Sequence, residues 1–310
     1  MSILVNPLAT VDQLSQSGSQ LDGVPADLEN SIRFAGARLT QAAGILLRLP
    51  QDIIAQAIVI FTRFFVGPEG GSLKEYGAKV RNPVALVSII EAHTTQDISA
   101  GSLYLMAKLS STPRSPRSVL NVYAYLDSFP STFVDASEFD EEKDPESYYL
   151  TEGTYHAQRT LLLRTEALIL RVLGFQTHVA LPYTLCINYL QTLDVFSHPE
   201  SQDLAKRAFA QLNTLLLSPQ LVYLTHQPYA LATASIYLAA RELGVKLPDE
   251  EWWEVFDTDR EELGFLVVAM RSMEGFAAEE KRKWGKRKVP LTVEEIEGEL
   301  ERRSLLNGRG

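Results

Sequence analysis

Two charged residues, Lys108 and Glu166, interrupt otherwise apolar stripes of predicted helices. Lys108 follows Leu105 by three positions and Tyr104 by four, so the three side chains share one helix face. A buried charge without a partner is costly, and the cheapest arrangement packs the two helices together so that Lys108 meets Glu166. Such a pair stabilises a protein only weakly, and its chemistry would be to present fixed donors and acceptors to another molecule. An internal structural salt bridge, or two side chains that reach separately to solvent, is the alternative.

The helix that carries Lys108 belongs to a sequence that occurs twice. Ile98–Leu109 (ISAGSLYLMAKL) matches Leu231–Glu242 (LATASIYLAARE), 133 residues later, and the match places Lys108 on Arg241. Both copies are small and apolar almost all the way round, which is typical of a helix surrounded by other helices. The spacing is far longer than a solenoid repeat, so we infer a duplicated domain with one central helix in each half.

The sequence predicts an all-α fold, because no segment alternates long enough between apolar and polar residues to indicate a sheet. The first half is expected to contain five helices, at about 27–48, 51–65, 97–109, 115–126 and 152–173. Gly174 is a natural residue to end the last of them, and Pro182 is expected to open the next helix as its first residue. The second half is expected to repeat the plan, with helices at about 182–193, 202–216, 227–243, 249–256 and 258–275.

The segments outside these helices differ in composition. Residues 1–26 are polar and rich in Ser, Gln and Gly, which indicates a mobile leader, and 277–310 form a basic, charged tail. Residues 66–96 and 129–150 are insertions in the first half, the second of them acidic. Within the first, Val80–Gln96 has two explanations: a genuine insertion with a short strand or helix, or an unremoved intron. Excision of the intron would leave Asp97 as the N-cap of the central helix.

Composition limits the function classes. A length of 310 residues with 45% hydrophobic content is that of a soluble globular protein of about two domains. The net charge of −10 argues against a surface that binds nucleic-acid phosphates. No run of 18 apolar residues occurs, so we expect an intracellular protein without a membrane span. The single cysteine, Cys186, lies among apolar residues and is expected to be a buried hydrophobe rather than a nucleophile.

Other motifs give little support to catalysis, and we predict no metal, no cofactor and no enzymatic activity. An all-helical prenyl-transfer synthase would need two facing carboxylate motifs, which EFDEEKD (138–144) and DTDREE (257–262) do not supply. The second of these resembles the acidic start of a helix. GPEGGS lacks the Lys-Ser/Thr of a phosphate-binding loop. The histidines lack the spacing of zinc ligands: His93, His156, His178, His198 and His226.

A basic cluster, KRKWGKRK, follows the second half, with six basic residues in eight. Such a cluster is typical of a nuclear-import signal or a nucleic-acid contact, and a solvated run of charge is the alternative. The candidate residues are Lys281, Arg282, Lys283, Lys286, Arg287 and Lys288.

Taken together, these features resemble the cyclins, whose two five-helix boxes each have a central SxYLxA[K/R] helix. The sequence is most similar to the L-type cyclins, through Thr40–Gln51 (TQAAGILLRLPQ), FTRFF at 61–65 and Leu163–Tyr183. WWEVF at 252–256 is similar to the Q-type cyclins. The resemblance implies cyclin boxes at 27–176 and 177–276.

The resemblance implies a regulatory subunit that binds and activates a cyclin-dependent kinase in transcription or pre-mRNA processing. Such a protein would be nuclear, would need no cofactor, membrane or direct nucleic-acid contact, and would be monomeric apart from the kinase heterodimer. In cyclins, the Lys and Glu at the positions of Lys108 and Glu166 bind the kinase backbone beside its regulatory helix. Leu105 and Phe175 match apolar positions that pack on the kinase. Ser110-Ser111 replaces the Glu-Glu that often follows the family lysine.

A TFIIB-type transcription factor, which shares the double box but binds promoter DNA, is the rival interpretation. The net charge of −10 disfavours it.

Overall fold

The computed structural model describes residues 5–74, 94–133, 148–195, 201–248, 250–285 and 287–307, and every regular element within these ranges is helical. The predicted all-α fold is confirmed. Contacts divide the chain into two compact units beside the boundary expected at 176/177. The amino-terminal unit is Val11–Thr177 with Lys281 onward, and the carboxy-terminal unit is His178–Glu280 with the described residues up to Thr10.

The start of the amino-terminal unit differs from the mobile leader that its composition predicted. It contains two short helices, α1 (Val11–Ser15) and α2 (Gly18–Leu21). The hydroxyl of the fully buried Ser19 accepts the Leu73 N–H at 2.9 Å. The Gln20 side chain donates to the buried Glu29 carboxylate at 2.9 Å. Because its polar groups have partners inside the unit, this segment is packed rather than solvated.

Five longer helices of the amino-terminal unit lie close to those predicted from the sequence. They are α3 (Ala26–Leu46), α4 (Gln51–Phe64), α5 (Thr95–Leu109), α6 (Pro116–Asp127) and α7 (Glu152–Val172). Helix α5 packs against the other four, and its residues 98–107 are all buried. The predicted central helix is therefore present in this unit.

Helix α5 begins with a capping box. The Thr94 hydroxyl accepts the Asp97 N–H at 3.1 Å, and the Asp97 carboxylate accepts the Thr94 N–H at 2.7 Å. Asp97 is thus the third residue of the helix, not the N-cap that excision of 80–96 would make it. Most of Val80–Gln96 lies outside the described residues, so both explanations for it stay predictions.

The carboxy-terminal unit is built around the second copy of the repeat. Its helices are α8 (Tyr183–Thr192), α9 (Ser201–Leu215), α10 (Val222–Thr225), α11 (Pro228–Leu243) and α12 (Arg260–Trp284), whose residues from Lys281 onward belong to the amino-terminal unit. Helix α11 packs against α8 and α9 and, like α5, is buried along most of its length. The two central helices have the same sequence pattern because both are enclosed by other helices.

Three boundaries in this unit correct the sequence prediction. The helix expected at 249–256 is wrong; only a 3₁₀ turn, Glu254–Phe256, is present. Phe256 stacks on Tyr189, with ring centroids 3.9 Å apart, and the turn is closed by short-range backbone hydrogen bonds such as Phe256 N–H to the Trp253 carbonyl. Pro182 precedes α8 and accepts the Cys186 N–H, so it is the N-cap position rather than the first helical residue. Helix α12 runs beyond the expected end at 275 to Trp284.

The segment expected to be a charged tail packs into the amino-terminal unit. We call residues 281–285 and 287–307 the strap; the segment ends in α13 (Val293–Asn307). Trp284, Val289 and Ile296 are buried, and the Leu291 carbonyl accepts the first N–H of α5, from Thr95, at 2.9 Å. The strap, α3 and the end of α6 line an apolar pocket of about 370 Å³. Within the described ranges, no helix is both long and apolar enough to cross a bilayer.

Candidate functional site

Lys108 and Glu166 meet where α5 packs against α7. The Lys108 ammonium donates to Glu166 Oε1 at 2.9 Å, so the predicted contact is formed. The Glu166 side chain is 9% exposed, whereas that of Lys108 is 54% exposed. The hydrogen bond to Glu166 raises the pKa of Lys108, and the Tyr104 ring centroid lies 5.7 Å from the ammonium. The pair therefore has a buried anion and a cation that faces solvent.

The close approach of α5 and α7 depends on Gly101. A Cβ on this residue would lie 2.8 Å from Thr165 Cγ2 and 2.9 Å from Ile169 Cδ1. Both neighbours are fully buried on α7, and Thr165 directly precedes Glu166. Glycine costs helix stability, so its presence in the middle of α5 indicates a packing requirement. Gly101 sets the helix spacing at which Lys108 reaches Glu166.

The pair keeps hydrogen-bonding capacity for another molecule. A lysine ammonium has three N–H donors, and Glu166 uses one of them. Among the residues that the structure describes, Glu166 Oε2 accepts no hydrogen bond. One carbonyl oxygen and one N–H of a partner backbone would satisfy both groups.

Of the two apolar residues that the resemblance implies for a kinase contact, Phe175 is exposed and Leu105 is buried. A third apolar residue, Leu109, is exposed as well. Phe175 is 70% exposed, as a partner-facing residue must be. Leu105 is 2% exposed, so the expectation that it packs on a partner does not agree with its place in the core. Leu109 is 58% exposed and directly follows Lys108, although its position in the apolar stripe of α5 did not distinguish it from the buried leucines. We call Lys108, Leu109, Glu166 and Phe175 the α5–α7 surface.

The backbone after α7 directs Phe175 outward. Gly174 and Phe175 both have left-handed conformations, with φ of 56° and 62°. The Phe175 N–H is bonded to the Leu170 carbonyl at 2.8 Å, which closes the end of the helix as the predicted Gly174 implied. A left-handed conformation is costly for phenylalanine and is typical of positions under functional constraint.

The second copy of the repeat lacks such a pair. Arg241, which matches Lys108, lies 5.8 Å from the centroid of the Tyr237 ring and 3.5 Å from its hydroxyl. No carboxylate among the described residues pairs with it. The neighbouring Glu242 is bound by Arg207 and Gln211 instead. Of the two repeat cations, Lys108 and Arg241, only Lys108 therefore has a buried carboxylate partner among the described residues.

The basic cluster is largely engaged within the amino-terminal unit. Lys283 pairs with Asp27 at 3.2 Å and Lys288 with Asp127 at 3.1 Å, while Arg287 lies 3.5 Å from Glu299. Lys281 and Arg282 are exposed, and Lys286 is outside the described residues. The import role of the cluster stays a prediction.

The other candidate groups have structural roles wherever the structure describes them. Cys186 is fully buried, and burial raises the pKa of its thiol to about 12. Asp259 accepts the Glu262 N–H at 2.7 Å at the start of α12, which is the helix-start role expected for DTDREE. No group of three or more metal-ligating side chains occurs within the described ranges. EFDEEKD, His93 and His198 lie outside those ranges.

Known proteins resemble this chain in sequence. No protein-family model matches it. Cyclin-L2 of Homo sapiens is 29% identical over 301 residues, which are 97% of this chain and 49% of the relative. Cyclin-L1 of Homo sapiens is 30% identical over 258 residues, 83% of this chain and 42% of the relative. The chain thus spans about half the length of the curated relatives that it matches.

A solved structure resembles it in fold. A chain of the crystal structure of the yeast RNA Pol II CTD kinase CTDK-1 complex matches with a TM-score of 0.62 at 13% identity. The match covers 97% of this chain and 84% of the other. The chain has the cyclin fold. The resemblance to the L-type cyclins inferred from the sequence is confirmed. Within this cyclin fold, α5 and α11 are the central helices of their respective units.

Proposed function

We propose that this chain binds a cyclin-dependent kinase and activates it as a non-enzymatic regulatory subunit. The α5–α7 surface carries the proposal, because it combines a buried carboxylate paired with an exposed ammonium and the exposed side chains of Leu109 and Phe175. Similarity to Cyclin-L2 and Cyclin-L1 supports the same role. From that similarity we infer that the kinase acts in transcription or pre-mRNA processing and that the complex is nuclear.

The contact with the kinase would combine polar and apolar parts. Lys108 donates to a backbone carbonyl of the kinase, and Glu166 Oε2 accepts a backbone N–H. Leu109 and Phe175 lose most of their exposed area in the contact, and each buried side chain of this size contributes about 1.5–3 kcal/mol. The polar groups fix the position of the partner helix, and the apolar groups supply most of the affinity.

Activation follows from where the kinase helix is held. A protein kinase is active when its regulatory helix supplies the glutamate that pairs with the phosphate-binding lysine. A cyclin that buries that helix in its inward position shifts the kinase towards this state and does no chemistry itself. The Lys108–Glu166 pair suits this task because its positions are set by helix packing through Gly101 rather than by a loop.

Binding of promoter DNA is less compatible with the same structure. The net charge is −10, and three cations of the basic cluster are paired with carboxylates of the amino-terminal unit. Phosphate binding would have to break those pairs.

Affinity purification of the tagged chain, followed by mass spectrometry, tests the proposal. We expect a cyclin-dependent kinase to co-purify, and Lys108→Ala or Glu166→Ala to abolish this while helical content stays unchanged. Loss of one partner of a buried, hydrogen-bonded charge pair costs roughly 2–5 kcal/mol of binding energy. Arg241→Ala is the matched control, because it removes the cation from the same position of the repeat without a carboxylate partner.

Two results would contradict the proposal. One is the absence of any kinase from the purified material. The other is normal binding and activation of a kinase by both site variants, which would leave the pair as an internal salt bridge.

A further inference from the structure

Three Ser or Thr residues of this chain directly precede a proline. They are Thr112, Ser115 and Ser218. The first two lie in TPRSPR, in which each proline is followed by an arginine. A hydroxyl residue directly before proline is the minimal substrate of proline-directed protein kinases, so accessibility in the folded chain decides which of the three can be used.

The structure separates the pair in TPRSPR from Ser218. Thr112 and Ser115 lie in the non-helical turn 110–115 between α5 and α6, where Ser115 is exposed. Ser115 has an extended backbone, φ −71° and ψ 150°, as binding in a kinase substrate groove requires. The Ser115 hydroxyl is bonded only within its own segment, to the backbone and hydroxyl of Ser118. Ser218 is 6% exposed.

The arginine after each proline ties the turn to another helix. Arg114 donates to the carbonyls of Leu47 and Arg48 at the end of α3, at 2.9 and 3.1 Å. Arg117 donates to the Glu152 carboxylate at the start of α7 at 2.6 Å, and its guanidinium lies 4.0 Å from the Tyr155 ring centroid. Arg114 follows Thr112 by two positions in the sequence, and Arg117 follows Ser115 by two. Arginine binds phosphate through two parallel hydrogen bonds, more strongly than it binds the neutral carbonyls that Arg114 contacts. A phosphate on Ser115 would compete with the Glu152 carboxylate for Arg117.

We propose that Thr112 and Ser115 are phosphorylated by a proline-directed protein kinase and that Arg114 and Arg117 bind the resulting phosphates. The side-chain oxygen attacks the γ-phosphorus of ATP, the bond to the β–γ bridging oxygen breaks, ADP leaves and the hydroxyl proton is released. Each phosphate adds a charge of about −1.5 to −2. The turn begins directly after Leu109 of the α5–α7 surface, but the proposal does not depend on the proposed role of that surface.

Phosphorylation of the purified full chain tests the sites. The folded protein is incubated with a purified mitogen-activated protein kinase and Mg-ATP, and modified residues are mapped by tandem mass spectrometry. We expect phosphate on Ser115 and Thr112 but not on Ser218 in the folded chain, and on all three residues in free peptides of the same sequences. Modification of Ser218 as fast as Ser115 in the folded chain would overturn the proposal. So would an unmodified Ser115 in the chain when a free 110–118 peptide is phosphorylated.

Two variants make the assignment specific. Pro116→Ala keeps the Ser115 hydroxyl and a good helix-forming residue at the start of α6, and should remove phosphate from Ser115 alone. Arg117→Gln tests the arginine contact through the ³¹P titration of phosphoserine, whose second pKa is normally about 6. We expect a value below this in the otherwise unchanged chain and a return towards it in Arg117→Gln. Equal values in the two proteins would show that Arg117 does not bind the phosphate.

Discussion

Lys108 and Arg241 occupy equivalent positions on the two copies of the repeated helix, and among the described residues only Lys108 has a carboxylate partner. Both cations lie over a tyrosine ring one turn earlier, at 5.7 and 5.8 Å from its centroid. The duplication therefore preserved the helix and its cation in both units. The buried Glu166 in α7 gives Lys108 an ion pair that Arg241 lacks among the described residues.

Replacing the pair with apolar residues should separate binding from stability. In Lys108→Met/Glu166→Leu we expect the free energy of unfolding to stay within about 1 kcal/mol of the unchanged chain or to rise, since a buried ion pair stabilises less than apolar residues of similar volume. Kinase co-purification should nevertheless be lost. Urea unfolding and pull-down measure the two effects. A double variant that still binds kinase would show that the pair has only a structural role.

Exposure predicts opposite effects for neighbouring leucines of α5. Leu109→Ala removes an exposed side chain and should change the free energy of unfolding by less than about 0.5 kcal/mol while weakening kinase binding. Leu105→Ala creates a cavity in the core and should cost about 2–5 kcal/mol. Thermal and urea unfolding compare the two, and Phe175→Ala should behave as Leu109→Ala does. Equal destabilisation by both leucine variants would contradict this division of the α5–α7 surface.

The contact between Lys108 and Glu166 could be predicted because each places a charge within an otherwise apolar helix stripe. A charge within an apolar helix stripe requires a partner, and only another helix with the same defect could supply one; hence the Lys108–Glu166 contact was predictable. Leu105 and Leu109 lie on one stripe, one turn apart, and periodicity does not tell which of them lies past the end of the buried helix face. Where neighbouring helices stop covering α5 is a tertiary property.

The strap was not predictable for a related reason. Its buried residues, Trp284, Val289 and Ile296, are separated by five and seven positions and mixed with charges, so they form no helical stripe. Their environment comes from distant segments: Lys283 pairs with Asp27, 256 residues earlier in the chain. The same cations look like a solvated basic run when only their neighbours in sequence are considered. The prediction of a helix at 249–256 was wrong. Phe256 stacks there on Tyr189, a residue more than 60 positions earlier whose proximity local helix propensity does not reveal.

Gly101→Ala should weaken the contact between α5 and α7. Alanine raises intrinsic helix propensity, yet its Cβ would lie within 3 Å of both Thr165 and Ile169. We expect a net loss of about 1–3 kcal/mol in the free energy of unfolding from overpacking. Lys108 should also lose part of its contact with Glu166, so kinase binding should fall more than stability alone explains. The matched control is Ala234→Gly at the equivalent position of α11, which should cost stability without any effect on kinase binding. A Gly101→Ala protein as stable as the original would show that the helices can separate without cost.

Acid should destabilise the strap internally, through Glu299 of α13. This buried carboxylate accepts hydrogen bonds from Arg302 at 2.6 and 2.8 Å and from Arg303 at 3.1 Å. The Arg302 bonds are the main reason that the pKa of Glu299 falls from 4.5 to about 2. A carboxyl whose pKa is lower in the folded state stabilises the protein above the unfolded pKa, and this contribution is lost as pH falls through the folded pKa. It is therefore fully present above about pH 5.5 and disappears between about pH 4.5 and 2.

Glu299→Gln isolates this contribution. We expect the variant to be less stable than the unchanged chain at neutral pH, and the difference to shrink progressively below about pH 4.5. Urea unfolding followed by tryptophan fluorescence measures it, because Trp284 is buried in the strap. Glu301→Gln on the exposed face of α13 removes the same charge and should have little effect at any pH. A constant difference between Glu299→Gln and the unchanged chain from pH 7 to pH 3 would mean that the Glu299 charge does not contribute to the stability of the folded strap.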